Sequence, residues 1–162
     1  MAMEFSAGEM FEIACQIERN GARFYRKAAQ AARARDKKQK LLDLAAMEDD
    51  HLATFTAMAG ELSDQERTEP VYDPDGQAAM YLRAFADTRV FDAKADPSKK
   101  LTGKESLEDV LRMAIGLEKE SIAFYVGMRE AVPERLGKDK IDRIIKEEMG
   151  HVATLTADLS AL

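Results

Sequence analysis

The chain has 162 residues, of which 46% are hydrophobic and 33% are charged, and it carries a formal net charge of −6. This length and composition favour a single globular domain spanning residues 1–162, and the net acidity argues against a nucleic-acid-binding protein, which would need clustered Lys and Arg. No apolar run approaches the roughly 18 residues of a membrane span, and acids stand where a signal peptide carries bases, so we expect a cytoplasmic protein without a membrane partner.

Two helices are predicted before residue 63. Apolar residues recur at helical spacing from Phe11 to Ala32, which predicts a first helix over about 6–33. After the polar segment RARDKK the pattern resumes from Leu41 to Leu62 and predicts a second helix over about 38–62. The only cysteine, Cys15, lies on the apolar stripe of the first helix, so we expect a buried, unreactive thiol.

A long crossover separates these helices from a second pair. Residues 63–76 are rich in turn formers and are predicted to form turns, whereas residues 77–87 have helical spacing. The third long helix is predicted to open at the capping pair Ser106 and Asp109, and the fourth runs from Ile141 to Leu159. These elements predict an all-α four-helix bundle of two helical hairpins, joined by a long crossover that contains a short helix, which is the ferritin-like connectivity.

Each apolar stripe is interrupted near its middle by residue types that bind metals. The first and third helices each carry one Glu, and the second and fourth each carry a Glu-x-x-His pair: Glu18, Glu48, His51, Glu118, Glu148 and His151. Both histidines of the chain thus stand three residues after a Glu, and the pattern returns at an offset of one hundred residues. Unpaired buried carboxylates would cost several kcal/mol each, so the six groups need a partner.

The turns indicate that these six groups share one level of the bundle. Residues equidistant from a hairpin turn lie side by side; the midpoint of 18 and 48 is Arg33, and the midpoint of 118 and 148 is Pro133, both in predicted turns. Two Glu helices and two Glu-x-x-His helices form the ligand pattern of di-iron and di-manganese carboxylate bundles. We interpret the Glu of each Glu-x-x-His pair as a bridging ligand, each lone Glu as a terminal ligand, and one histidine as a ligand of each metal. Oxygen ligands with one imidazole per metal favour two iron ions, for which manganese or zinc could substitute.

Two tyrosines follow the same register. Tyr25 and Tyr125 each stand seven residues after the lone Glu of their helix, on the same inward face. Two interpretations stay open: they are core aromatics, or they support catalysis by donating hydrogen bonds to ligand carboxylates. Asp49, Asp50 and Glu147 are expected to turn away from this face and to form a solvated acidic flank.

These motifs resemble the rubrerythrin branch of the ferritin-like superfamily. The resemblance rests on Glu-x6-Tyr at 18–25 and 118–125 and on Glu-x-x-His at 48–51 and 148–151. It implies a helical bundle that forms a homodimer or a higher homo-oligomer, binds two irons, and reduces hydrogen peroxide or oxidises Fe(II). Two features depart from the family pattern: a single cysteine excludes a rubredoxin domain from these residues, and Ser121, matched by Gly21, replaces an additional carboxylate. These small residues would leave room for an oxidant beside the metals.

We therefore expect a non-haem di-iron oxidoreductase that reduces hydrogen peroxide or dioxygen. Its electrons would come from an external donor, such as a rubredoxin-like protein or a reductant in solution. Two alternatives stay open: a ferroxidase or iron-handling protein whose substrate is Fe(II), and a non-catalytic helical interaction module that the metals hold together.

Overall fold

The computed structural model describes residues 6–87 and 95–162 of the chain. Its α-helices are α1 (Ala7–Ala31), α2 (Arg35–Gly60), α3 (Asp64–Thr68), α4 (Gln77–Asp87), α5 (Leu107–Ala131) and α6 (Lys138–Ser160), with short 3-10 helices at Pro97–Lys100 and Glu134–Leu136. The α1–α2 and α5–α6 hairpins form the bundle, and α4 lies in the crossover, so the predicted fold is confirmed. None of the described helices combines the length and the apolarity that a bilayer span requires.

Both hairpin turns lie where the sequence placed them. Arg33 falls between α1 and α2, and Pro133 falls between α5 and α6. The second turn ends at Gly137, whose φ of 81° is a left-handed conformation that suits a residue without a Cβ. Because each turn lies midway between two of the residues that interrupt the apolar stripes, it sets those residues side by side in its hairpin.

Serine caps define where α1 and α5 begin. Ser106 accepts a hydrogen bond from the backbone N–H of Asp109 at 3.1 Å, and the Asp109 carboxylate accepts one from the backbone N–H of Ser106 at 3.2 Å. Ser6 and Glu9 form the same reciprocal pair at the start of α1. The predicted cap of the third long helix is therefore present, and both first turns have partners for otherwise free N–H groups.

The structure corrects one predicted boundary and adds one short helix. Helix α2 begins at Arg35 rather than near 38, because charged residues that periodicity assigns to a turn are good helix formers on a solvated face. Helix α3 lies within the segment predicted as turns. Its single turn is stabilised by a capping box between Ser63 and Glu66 and by an ion pair between Glu66 and Arg135. A helix of this length is too short to show an apolar period.

The buried apolar residues form two layers, one on either side of the Glu and Glu-x-x-His motifs. The first layer lies toward the start of α1 and includes Met10, Phe11, Ala14, Cys15, Phe55, Met58, Phe124, Met128, Ile141 and Ile144. The second lies toward the end of α1 and includes Phe24, Ala28, Ala29, Leu41, Leu44, Leu111, Ala114 and Leu155. Burial of each large side chain contributes roughly 1.5–3 kcal/mol. The two layers enclose the polar level between them.

The crossover helix α4 packs closely against α5. A Cβ added at Gly127 would lie 2.6 Å from the Tyr81 ring, so only glycine permits this approach. The Tyr81 hydroxyl donates a hydrogen bond to the backbone carbonyl of Ala123 at 2.7 Å. These contacts attach the crossover to the second hairpin.

Candidate metal centre

Six polar side chains meet between the two apolar layers. They are Glu18 on α1, Glu48 and His51 on α2, Glu118 on α5, and Glu148 and His151 on α6. Each is at most 5% exposed. The structure thus brings together all six residues that the sequence motifs had placed at one level, and each long helix contributes at least one of them.

The six side chains form two overlapping groups. One group holds Glu18, Glu48, His51 and Glu148; the other holds Glu48, Glu118, Glu148 and His151. Within each group the potential ligand atoms lie within 4.8 Å of one another. The two groups share Glu48 and Glu148, which is the arrangement that bridging carboxylates need.

Glu148 directs one oxygen toward each histidine. Its Oε1 lies 3.2 Å from Nδ1 of His51, and its Oε2 lies 2.8 Å from Nδ1 of His151. The lone Glu residues complete the pattern: Glu18 Oε2 is 3.6 Å from His51 Nδ1, and Glu118 Oε1 is 3.5 Å from His151 Nδ1. Each group therefore combines one imidazole nitrogen, one unshared carboxylate and two shared carboxylates.

The unsatisfied atoms of the site fit a pair of cations. Among the described residues, the buried side-chain nitrogen and oxygen atoms without a hydrogen-bond partner all belong to this cluster; they are Glu18 Oε2, Glu48 Oε1, His51 Nδ1, both carboxylate oxygens of Glu148, and both ring nitrogens of His151. Leaving such atoms unpaired costs free energy, which coordination to a cation would recover. Carboxylate oxygens with one imidazole per metal suit Fe(II), Fe(III) or Mn(II).

Protons can compensate the negative charges of this cluster. Burial alone would lower the pKa of both histidines, but the adjacent carboxylates favour the charged imidazolium and raise the pKa to about 11 for His51 and about 9 for His151. Burial raises the pKa of Glu118 to about 8, against the opposing effect of His151. Burial, followed by the nearby Glu18, also raises the pKa of Glu48. Metal ions would therefore displace protons as they bind.

Two tyrosines connect the hairpins at the site. The hydroxyl of Tyr25 on α1 donates to Glu118 Oε1 on α5, and the hydroxyl of Tyr125 on α5 donates to Glu18 Oε1 on α1. Both phenols are buried, and burial together with the carboxylate charges raises the pKa of each well above its usual value. They consequently stay protonated and keep donating. The structure thus shows the hydrogen bonds of the second interpretation, with both rings also buried in the apolar layers.

Glu147 does not turn away from the site, contrary to the sequence-based expectation. Its Oε2 lies 2.8 Å from Nε2 of His51, across from α6 to α2. Asp49 does face outward, where it pairs with Arg26, and Asp50 is exposed. On a helical wheel Glu147 points about 100° from Glu148, but its long side chain reaches the neighbouring helix. The sequence offers one sign that Glu147 is special. The matching position of the first repeat is Met47, so Glu147 is not part of the repeated pattern.

The space beside Gly21 is filled rather than open. A Cβ at this position would lie 3.0 Å from Glu48 Oε2 and 3.1 Å from its carboxyl carbon, so the shared carboxylate packs against the glycine backbone. Ser121, at the matching position of α5, is buried and donates its hydroxyl to the Leu117 carbonyl at 3.0 Å. The expected room for an oxidant is therefore absent at Gly21, where glycine instead accommodates a candidate bridging ligand.

Comparisons with known proteins give two matches that span nearly the whole chain. A crystal structure from Thermotoga maritima, assigned as a ferritin-like diiron-carboxylate protein, matches with a TM-score of 0.78 and 23% identity over 97% of this chain and 96% of that one, which shows the fold. Among curated proteins, none matches the chain in sequence. The sequence model of the rubrerythrin family matches residues 9–159, nearly the whole chain. The chain belongs to the rubrerythrin family.

Proposed function

We propose that this chain is a non-haem di-iron oxidoreductase that reduces hydrogen peroxide or dioxygen with electrons from an external donor. For peroxide the balanced reaction is H2O2 + 2 e− + 2 H+ → 2 H2O. The observation that supports it most directly is the pair of buried ligand groups that share Glu48 and Glu148. A site with two adjacent metal positions suits a two-electron reduction, because each of two bound irons could supply one electron.

The six candidate ligands divide into shared and unshared ones in this proposal. Glu48 and Glu148 would be shared by two bound metals, Glu18 and His51 would complete one position, and Glu118 and His151 would complete the other. Two bound irons would supply Lewis acidity and two electrons to the oxidant. Manganese or zinc could occupy the same ligands, but zinc has no redox chemistry, so a zinc-loaded site would not carry out the reaction.

The remaining residues hold the ligands and exclude water. Tyr25 fixes Glu118, and Tyr125 fixes Glu18, so each hairpin positions a carboxylate of the other. The apolar layers on either side of the site keep bulk water away from the ligands, which strengthens electrostatic interactions within the site. A phenol that stays protonated orients its carboxylate through a hydrogen bond without adding a negative charge.

The electron donor is proposed to be a separate molecule. The 162 residues contain one cysteine, Cys15, which is buried against Thr56, so they provide no set of thiolates for a second iron centre. A rubredoxin-like protein or a small reductant in solution would fill this role. An assay with each donor and excess peroxide would show which one sustains turnover.

Anaerobic Fe(II) loading followed by peroxide tests the proposed function. The protein is loaded with two Fe(II) per chain, one equivalent of peroxide is added, and iron oxidation is followed by stopped-flow absorbance. We expect rapid oxidation of both irons in the wild type and a loss of at least about 100-fold in rate for Glu118→Ala, which removes a ligand. The control is Glu108→Ala on the same helix, whose exposed pair with Arg112 contributes little to stability.

Three results would contradict the proposal. Equal oxidation rates in the wild type and Glu118→Ala would show that the site does not carry the reaction. Continued oxidation of excess Fe(II) with release of Fe(III) would identify iron as the substrate and favour a ferroxidase. Bound iron that peroxide does not oxidise, although its removal lowers the melting temperature, would favour a non-catalytic metal-stabilised bundle.

A further inference from the structure

The two halves of the metal centre differ in the partner of one histidine. The ligands and tyrosines recur at an offset of one hundred residues, but Glu147 corresponds to Met47. His51 Nε2 has Glu147 Oε2 at 2.8 Å, whereas His151 Nε2 is buried and has no hydrogen-bond partner among the described residues. The internal symmetry of the site is therefore broken just outside its ligands.

The contact between Glu147 and His51 fixes which ring nitrogen faces the metal position. A carboxylate accepts hydrogen bonds, so Nε2 of His51 must carry the proton and donate it. Nδ1 then faces the ligand group, 3.2 Å from Glu148 Oε1 and 3.6 Å from Glu18 Oε2. A histidine held this way is oriented and made more basic, and loss of such a partner typically costs 10–100-fold in metal affinity.

The carboxylate of Glu147 has a second neighbour on its own helix. Its side chain is 39% exposed, and its other oxygen lies 3.8 Å from Nε of Arg143, one helical turn earlier on α6. The matching residue in the first repeat, Met47, is 37% exposed and carries a thioether, which is only a weak acceptor. Met47 therefore offers no equivalent support, whichever way its side chain points.

We propose that Glu147 is a positioning residue that makes the two metal positions unequal. The position formed by Glu18, Glu48, His51 and Glu148 binds a divalent metal more tightly and fills first. The position that contains Glu118 and His151 fills second and more weakly. This inference rests on the proposed dinuclear site. It adds an order in which the two positions fill, whereas the internal repeat alone would predict equal affinities.

A titration with Mn(II) alone tests the inequality without measuring activity. Isothermal titration calorimetry, with free Mn(II) followed by electron paramagnetic resonance, resolves the affinity of each step. In the wild type we expect two steps that differ by about 10-fold or more in affinity. Glu147→Met, which copies the first repeat, should weaken the tighter step by about 10–100-fold and bring the two steps together.

Two further variants separate positioning from a general effect on the fold. Glu147→Gln keeps an oxygen that accepts a hydrogen bond from His51, so it should retain more of the tight step than Glu147→Met does. Met47→Glu introduces the carboxylate that His151 lacks and should tighten the weaker step. Because it adds a group at a partly exposed position, this variant tests the proposal even if Glu147→Met fails to fold.

Asp50→Asn is the matched charge control. Asp50 precedes His51 in the sequence and is exposed, and its replacement removes the same unit of charge as Glu147→Gln. It should leave both steps unchanged. If Asp50→Asn weakened Mn(II) binding as much as Glu147→Met does, the proposal would be overturned. The loss of one negative charge near the site would then explain the change in affinity without a contact to His51.

The remaining outcomes distinguish this inference from the proposed function. Two Mn(II) bound with equal affinity in the wild type would overturn the unequal positions and leave the dinuclear oxidoreductase intact. No binding of Mn(II) or Fe(II) at all would overturn the proposed function, and the inference with it. A Met47→Glu variant whose weaker step stays unchanged would also contradict the role assigned to the carboxylate.

Discussion

Tyr25 reaches from α1 to Glu118 on α5, and its hydroxyl can be removed without changing the shape of the ring. We expect Tyr25→Phe to weaken metal binding by about 10-fold or more, because the freed carboxylate loses its orientation. Titration with Mn(II) measures the change. Tyr81→Phe is the control, since the Tyr81 hydroxyl donates to the backbone carbonyl of Ala123 and not to a candidate ligand. An unchanged affinity in Tyr25→Phe would show that this hydrogen bond does not position Glu118.

Gly21 matters because it leaves space for a shared carboxylate. The Cβ of Gly21→Ala would lie 3.0 Å from Glu48 Oε2, so Glu48 must shift and metal affinity should fall several-fold. Gly116→Ala on α5 is the matched control: its Cβ meets no atom within 4 Å, and the change should stabilise the helix by roughly 0.5–1 kcal/mol. Metal titration and thermal melting compare the two. Identical behaviour of both variants would contradict the packing role of Gly21.

Among the helices, α5 depends on its N-terminal cap. Ser106→Ala removes the acceptor for the Asp109 backbone N–H and should destabilise the protein by about 1 kcal/mol, a fall of roughly 2–4 °C in melting temperature. Ser160→Ala, at the exposed end of α6, should change stability by less than about 0.5 kcal/mol. A Ser106→Ala variant as stable as Ser160→Ala would show that the cap contributes nothing.

The long helices were predictable because their apolar stripes run for many turns. The same stripes revealed the candidate metal ligands, since a carboxylate on a buried face is costly and stands out from its neighbours. The hairpin midpoints at Arg33 and Pro133 then supplied the relative heights of α1 and α2 and of α5 and α6. These local patterns were enough to predict the bundle fold and the six Glu and His residues that the structure brings together.

Contacts between the two hairpins could not be predicted from the sequence. That Tyr25 pairs with Glu118 rather than with a carboxylate of its own hairpin depends on how the hairpins pack. The reach of Glu147 to His51 depends on the same packing and on a flexible side chain, neither of which a helical wheel represents. Helix α3 was not predicted because a helix of five residues is too short to show the helical spacing of apolar residues.

For the molecule as a whole, the protonated cluster makes stability depend on pH. The pKa of Glu118 rises from 4.5 to about 8 and that of His151 from 6.5 to about 9, so the folded chain binds more protons than the unfolded chain. Their contributions are complete below the unfolded pKa values and are lost as pH rises through the folded ones. The lowered pKa of Glu148, about 2, affects stability only at more acidic pH.

We therefore expect the melting temperature of the metal-free protein to fall between about pH 6 and pH 9. Differential scanning calorimetry of chelator-treated protein across this range measures it. Glu118→Gln, which cannot titrate, should flatten the part of the fall below about pH 8. A melting temperature that rises across the range would contradict the assigned direction of the pKa shifts.

Anomalous diffraction from crystals of the metal-loaded protein tests the central claim most directly, because it locates each ion and its ligands. Crystals loaded with Fe(II) under anaerobic conditions should show two peaks per chain at the iron edge, about 3.5–4 Å apart. Glu48 and Glu148 should lie between the peaks, with His51 beside one and His151 beside the other. A single ion, or ions bound away from these residues, would contradict the dinuclear centre.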